Sequence, residues 1–430
     1  MLKFFVYRLA FLSILIGACG PPPTPVPPPT PTVTPRPTAT SRPTPTATPI
    51  SKCPAPNPAA VWIAPVDFNG YPEAIRAYLN AGGSPVELTT ILRNASSIND
   101  QWGGVKPIDL TGDGERETIV SIYTPGTLDR SPAPGGMLLI YGCAQRQVAL
   151  VGQRAAGPSA AETLPRLAQV GNIIGAARGA QLATLTSTCG ASTCFDRFDV
   201  LGWNGEQFVS LMSAPLQLPS GAFRLVQLDQ DPAFEIEAQG GVIGSVGAGP
   251  QRAEKQVWKW NGAQYVRIST ELSPVKYRIH AVYEGDDALA GGNYAKAIEW
   301  YSRVITDDAL KDWHAEIGYR TQTDRATLTA YARFRLLVIG VGRGDANARD
   351  QLDQLTAQFP GGAPAHLTQQ LAQVFWNQYQ ATHDLVAACA AANAYANSGD
   401  NNQYLIVDDL NLFGYANRTY TSDDMCPIKG

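Results

Sequence analysis

The chain is 430 residues long and carries a formal charge of −4 from 33 basic and 37 acidic side chains. That charge is spread thinly and no basic run occurs, which argues against nucleic acid as a partner. Once an N-terminal leader and a low-complexity stretch are set aside, residues 61–430 are long enough for two or three domains.

Lys3 and Arg8 precede the short apolar run Leu9 to Ile16, which ends in Ile16-Gly17-Ala18-Cys19. A positive start, a short apolar core and small residues before a cut describe a secretory signal over residues 1–18. The run is shorter than the roughly 20 residues a membrane span needs. Its small-small-Cys ending resembles the lipobox of bacterial lipoproteins. That resemblance implies that Cys19 receives lipid and becomes the first mature residue, tethered to the extracytoplasmic side of the envelope membrane. Each buried acyl CH₂ would contribute about 0.8 kcal/mol to that anchor. Residues 19–59 then form a Pro/Thr-rich linker, plainest at Pro43-Thr44-Pro45-Thr46-Ala47-Thr48-Pro49, with Arg36 and Arg42 its only charges before Lys52. Such a tract buries too little to fold and reads as an extended spacer, on the order of 100 Å long at about 3.1 Å per residue.

Residues 60–104 read as a small helical segment. Tyr71 to Leu79 has helical apolar spacing stopped by Gly82-Gly83, and Ser84-Pro85 supplies an N-cap and a first helical residue for a second helix. From 105 to 272 the pattern becomes strand-like. Asp109-Leu110-Thr111-Gly112-Asp113-Gly114-Glu115-Arg116-Glu117 precedes Thr118 to Tyr123, and a weaker copy, Gln227 to Glu235, precedes Ile236. Trp203-Asn204-Gly205-Glu206-Gln207-Phe208-Val209 matches Trp260-Asn261-Gly262-Ala263-Gln264-Tyr265-Val266, and Asn-Gly predicts tight hairpin turns. Three β-meanders are predicted, near 105–155, 168–215 and 223–270, forming an open, propeller-like arc whose edge the helices of 70–100 or the C-terminal region would cover.

The Asp109 loop resembles the calcium loops of FG-GAP and VCBS-type repeats. That resemblance implies Ca²⁺ held by Asp109, Thr111 and Asp113, with Gly114 at the sharp turn and Glu117 closing the site. The second copy is a poorer candidate, because Gln227 replaces the first acid and Pro232 stands where a glycine belongs.

Beyond Cys19 there are six cysteines, which allow 15 disulfide pairings. The preferred set is Cys189 with Cys194 across facing strands, Cys53 with Cys143, and Cys389 with Cys426 tying the tail to a helix.

From residue 275 to 398 the period is helical. Gly285, Ala288, Gly292, Tyr294, Ala297, Tyr301 and Val304 fall at spacings similar to a tetratricopeptide repeat. Ala348, Leu352, Leu355 and Pro360 continue the likeness, and Leu371, Val374 and Phe375 with Ala387, Ala391 and Ala394 suggest a third pair. The resemblance implies a concave, protein- or peptide-binding face near Tyr301, Arg335 and Phe375. The tail, 399–430, is expected to fold back over the last helices.

No metalloprotease, nucleophile-elbow or phosphate-loop motif occurs. Asp312, His314 and Glu316 read as a solvated helix surface rather than a metal site, since His314 would point away from the other two. The expected fold class is therefore α+β multidomain: antiparallel β repeats, then helical hairpins. The expected function is a non-enzymatic, lipid-anchored protein-binding scaffold. The alternative is a glycan-binding or glycan-processing lipoprotein, motivated by Trp203 and Trp260, although hairpin packing is the favoured role for both tryptophans.

Overall fold

Apolar alternation with period two shapes residues 104–272, and helical periodicity takes over at Tyr277. The structure, a computed structural model, describes residues 53–100, 103–125, 135–155, 166–176, 179–190, 192–318 and 324–428. The expected signal, Cys19 and most of the linker lie outside these residues. By its contacts the chain divides into residues 1–50 and 51–430, and all that follows concerns the second unit. It is mixed α+β, with antiparallel sheets and ten α-helices among the described residues.

Helices α1 (Tyr71–Asn80) and α2 (Pro85–Asn94) come first, with the Ser84 side chain capping α2 at Val86 N. The first sheet runs β1 (Gly104–Ile108), β2 (Glu117–Ile122), β3 (Met137–Ala144) and β4 (Gln147–Ala155) in that spatial order. The second has β5 (Arg166–Gly171), β6 (Gln181–Cys189), β7 (Cys194–Trp203) and β8 (Phe208–Ser210), with β9 (Leu216–Pro219) also on β7. The third is β10 (Ala222–Val226), β11 (Glu235–Gly240), β12 (Glu254–Trp260) and β13 (Tyr265–Leu272), again in chain order.

Neighbouring side chains on one strand serve different cores, because they leave opposite faces of the sheet. In β2, Val120 and Ile122 pack under α1 and α2 with Ile75, Leu88 and Leu92, whereas Ile119 faces Leu182 and Leu201 of the second sheet. In β6, Leu182 joins that layer, while Ala183 packs with Ile236, Ala238 and Trp258 of the third sheet. The helices of 70–100 thus cover a face of the first sheet, not an edge. Asn80 fixes them there by exchanging hydrogen bonds with the backbone of Val148, at 2.7 and 3.0 Å. The third sheet carries an ionic ladder, Arg224 and Lys255 on the buried carboxylate of Glu237.

The Asn-Gly hairpins differ from the two-residue turns expected. Trp203 pairs with Phe208 and Trp260 with Tyr265, leaving four-residue loops. Only the glycine of each takes positive φ, and Asn204 and Asn261 instead accept from the backbone N–H groups two and three residues on. Both tryptophans lie against their cross-strand aromatic partners, at 5.1 and 5.5 Å between ring centroids.

The helices are α3 (Arg278–Ala290), α4 (Tyr294–Thr306), α5 (Trp313–Glu316), α6 (Asp324–Gly342), α7 (Arg349–Gln358), α8 (His366–Thr382), α9 (Leu385–Ala396) and α10 (Leu405–Asn411). Helices α3 and α4 approach closely because Gly285 has no Cβ; one there would lie 2.7 Å from the Tyr301 ring. Arg278, at the start of α3, is buried and bonds Asp312 and the carbonyls of Val304, Asp307 and Leu310, which neutralises the end of α4. On α9 the buried face is Ala388, Cys389, Ala392 and Ala396, displaced from the expected Ala387, Ala391 and Ala394.

Disulfides join Cys53 to Cys143, Cys189 to Cys194 and Cys389 to Cys426, the preferred pairs. The tail reaches past the last helices to the loop before β12. Asn417 donates to Ala248 O at 2.8 Å, and Gly249 (φ +81°) meets Phe413 O so closely that no side chain fits. Under the tail, Asp286 of α3 accepts from Tyr301 (2.5 Å), Tyr331 (3.1 Å) and Tyr420 (2.6 Å) and faces Arg335 at 3.3 Å.

In urea denaturation, Tyr420→Phe is expected to lower the unfolding free energy by about 1–2 kcal/mol through one lost hydrogen bond. Arg335→Met should cost about 3 kcal/mol, because it removes the nearer of two cations on buried Asp286 and leaves Arg418 at 3.6 Å.

Candidate functional site

In each sheet the connection from the first strand to the second is anchored from inside by the residue that opens the second strand. Glu117 Oε2 accepts from the backbone of Leu110 (2.7 Å) and Thr111 (3.2 Å), and Glu235 accepts from Leu228 at 2.8 Å. In the middle sheet Gln181 Oε1 accepts from Ile173 (2.8 Å) and Ile174 (3.2 Å). All three side chains are buried. Sequence reading missed the middle loop because its anchor is uncharged and the loop is a residue longer.

This anchoring changes the reading of the Asp109 loop. Asp109 turns both oxygens onto its own loop, accepting from Gly112 (2.7 Å) and Gly114 (3.1 Å), and Asp113 accepts from Glu115 at 2.9 Å. Thr111 Oγ1 donates to Glu117 at 3.3 Å. Glu117 therefore braces the loop through its backbone N–H groups and the Thr111 hydroxyl. Burial raises its pKa, opposed by the loop's N–H groups. Among the described residues, the carboxylates that converge are Asp229, Asp231 and Glu235 of the weaker copy, with ligand oxygens within 4.8 Å of one another.

That triad has a cation of its own. The Lys259 ammonium pairs with Asp229 and lies 3.0 Å from Asp231 and 3.9 Å from Glu235. Its hydrogen bonds, first to Asp229 and then to Asp231, hold it charged above the usual lysine range. Gln227 fills the loop's interior, donating to the carbonyls of Asp229, Asp231 and Ala233. Protein groups thus already occupy this loop: the Gln227 amide on its carbonyls and the Lys259 ammonium on its carboxylates. Lys259 was invisible to motif reading because it comes from β12, another strand of the sheet.

Tyr301, Arg335 and Phe375, around which a groove was expected, are all buried. His314 is not on a solvated surface either. It is buried, with Nδ1 2.6 Å from Asp324 and Nε2 3.3 Å from Leu412 O, while Asp312 pairs with Arg278 and Glu316 with Lys276 and Lys311.

A polar cleft of about 310 Å³ opens instead where the third sheet, α3 and the tail meet, lined by Arg252, His280, Tyr283, Glu284, Asp287 and Arg418. Two ion pairs flank it, Arg252 with Glu284 and Arg418 with Asp287. His280 is 2% exposed, and its Nε2 lies 2.9 Å from Pro250 O. A carbonyl can only accept, so Nε2 carries the proton and Nδ1 is an acceptor. Neither that Nδ1 nor the Tyr283 hydroxyl has a hydrogen-bond partner in the protein. Burial lowers the His280 pKa, with Arg252 and Lys276 adding to the effect and Glu284 and the Pro250 carbonyl opposing it. Burial raises that of Tyr283, with Arg418 opposing. Both atoms are closed off from solvent beneath the cleft, whose rim carries fixed charges of both signs.

No family model matches this chain, no curated protein is similar to it, and no solved structure matches its fold.

Three outcomes follow from this geometry. Glu117→Gln should leave the first loop intact, as Gln181 does in the middle sheet, whereas Glu117→Ala strands two backbone N–H groups at a cost of about 2–4 kcal/mol by urea melts. Lys259→Met should lower the melting temperature in chelator and make it rise on adding Ca²⁺, a rise greater than in the unmodified chain. Because His280 titrates below its ordinary 6.5 in the fold, the stability it contributes is complete above 6.5 and is lost as pH falls through the folded value. Urea midpoints should therefore drop between neutral pH and pH about 5, and His280→Gln should flatten that part of the profile.

Proposed function

We propose that this chain is a non-catalytic recognition protein of the cell envelope, lipid-tethered at Cys19, that binds a protein or peptide partner in the cleft between β13, α3 and the tail. The observation that carries this reading is the Nδ1 of His280, buried in the wall of the cleft without a hydrogen-bond partner, with the Tyr283 hydroxyl buried in the same wall. A buried acceptor without a donor costs about 1–3 kcal/mol, which a ligand N–H or O–H would recover once the wall opens to admit it. A peptide group brings both complements, an N–H for His280 and a C=O for Tyr283. Its flanking side chains meet alternating charge at Arg252, Glu284, Asp287 and Arg418. The three disulfides fit an oxidising, extracytoplasmic compartment.

The strand half serves in this reading as a rigid, FG-GAP/VCBS-like arc of three blades that sets the cleft at the end of the linker. The common placement of Glu117, Gln181 and Glu235 supports it. Calcium, where it acts, would compete with Lys259 for the Asp229, Asp231 and Glu235 triad. The tetratricopeptide-like hairpins supply the wall that carries His280 and Tyr283. Glycan binding is the second reading. Trp203 and Trp260 no longer argue for it, because their rings are occupied by Phe208 and Tyr265.

A displayed peptide library and a glycan array, probed with the chain and with Tyr283→Phe, test the proposal. Peptides are expected to bind and to lose about tenfold on Tyr283→Phe. Peptides indifferent to that change, or glycans that respond to it in their place, would overturn it. Labelled palmitate should be incorporated in the bacterial host and lost with Cys19→Ala.

A further inference from the structure

A more apolar cavity lies by the first sheet, where Cys53 is tied to β3. It measures about 260 Å³, with Pro54, Pro56, Pro85 and Pro107 and the Cys53–Cys143 disulfide in its wall. Leu79, Val148 and the Tyr141 ring complete the apolar lining. Prolines and a cross-link have few rotamers with which to collapse into a void, so the cavity is preformed. On the scale at which about 150 Å³ accepts benzene, it has room for roughly ten non-hydrogen atoms.

Polar groups of the wall are largely engaged. Tyr141 donates its hydroxyl to Pro72 O at 2.8 Å, and Ser84 Oγ accepts from Val86 N at 3.2 Å. Arg116 is different: it lines the cavity, is exposed, and has no ion-pair partner among the described residues. A guanidinium presents five donors in a planar fork that matches a carboxylate.

We infer that this cavity is a binding site for a compact apolar carboxylic acid, its hydrocarbon body among the prolines and its carboxylate on Arg116. The chain's own linker is a poor occupant: Arg36 and Arg42 are its only charges before Lys52, so it has no anion to offer Arg116. The site is independent of the cleft at His280.

Calorimetric titration of the full chain with octanoate, octanol and octylamine, each below its micellar concentration, tests this. Octanoate should bind saturably and about tenfold or more tighter than octanol, with octylamine weakest. Arg116→Gln should bring octanoate down to the octanol level and leave octanol unchanged, and Arg116→Lys should restore part of the preference. Arg116 is exposed, so an unchanged melting temperature is the control for folding. The inference fails if octanoate does not saturate, if octanol matches it, or if its advantage survives Arg116→Gln.

Discussion

One buried carboxylate organises the helical half. Asp286 sits on α3, yet its hydrogen bonds come from α4, α6 and the tail, through Tyr301, Tyr331 and Tyr420. Arg335 supplies the balancing charge from within the bundle, and Arg418 approaches from the tail at 3.6 Å. A buried charge is tolerated only when it is both paired and hydrogen-bonded, so these segments must arrive together or not at all. The same residues fix the floor and rim of the polar cleft, because Tyr283, Glu284 and Asp287 belong to α3 and Arg418 to the tail. The cleft is therefore a product of the network beneath it, not of a separate surface loop.

The strand half solves its loops by a second local rule. A single side chain at the head of the second strand gathers the N–H groups of the preceding loop, and it does so whether that side chain is Glu117, Gln181 or Glu235. Charge is not required for the job, which is why neutral Gln181 suffices. Where extra carboxylates accumulate, at Asp229 and Asp231, an ammonium from a neighbouring strand answers them.

Features that depend on near neighbours in the chain were legible. Ser84 and Pro85 announce a helix start, the spacing from Gly285 to Val304 announces a helix pair, and Thr118 to Tyr123 announce a strand. What escaped depends on distant partners. The oxygens of Asp109 and Asp113 read as ligands in sequence, and in the structure they accept from backbone N–H groups of their own loop. Lys259 and the Asp229 triad meet only once β12 pairs with β11. His280 reads as a solitary histidine until the Pro250 carbonyl accepts its Nε2–H and leaves Nδ1 without a partner. Tyr301, Arg335 and Phe375 show a related limit of spacing: it indicates which residues are apolar-faced, but not whether they meet a neighbour or an opening. On α9, a run of nearly uniform alanines gives periodicity too little contrast to fix the face.

The bond between Cys53 and Cys143 has a mechanical meaning. A force applied at Cys53 crosses that bond into β3, an inner strand of the first sheet, and bypasses everything in the chain between the two cysteines. Helices α1 and α2 stand outside that load path for as long as the sulfurs stay joined.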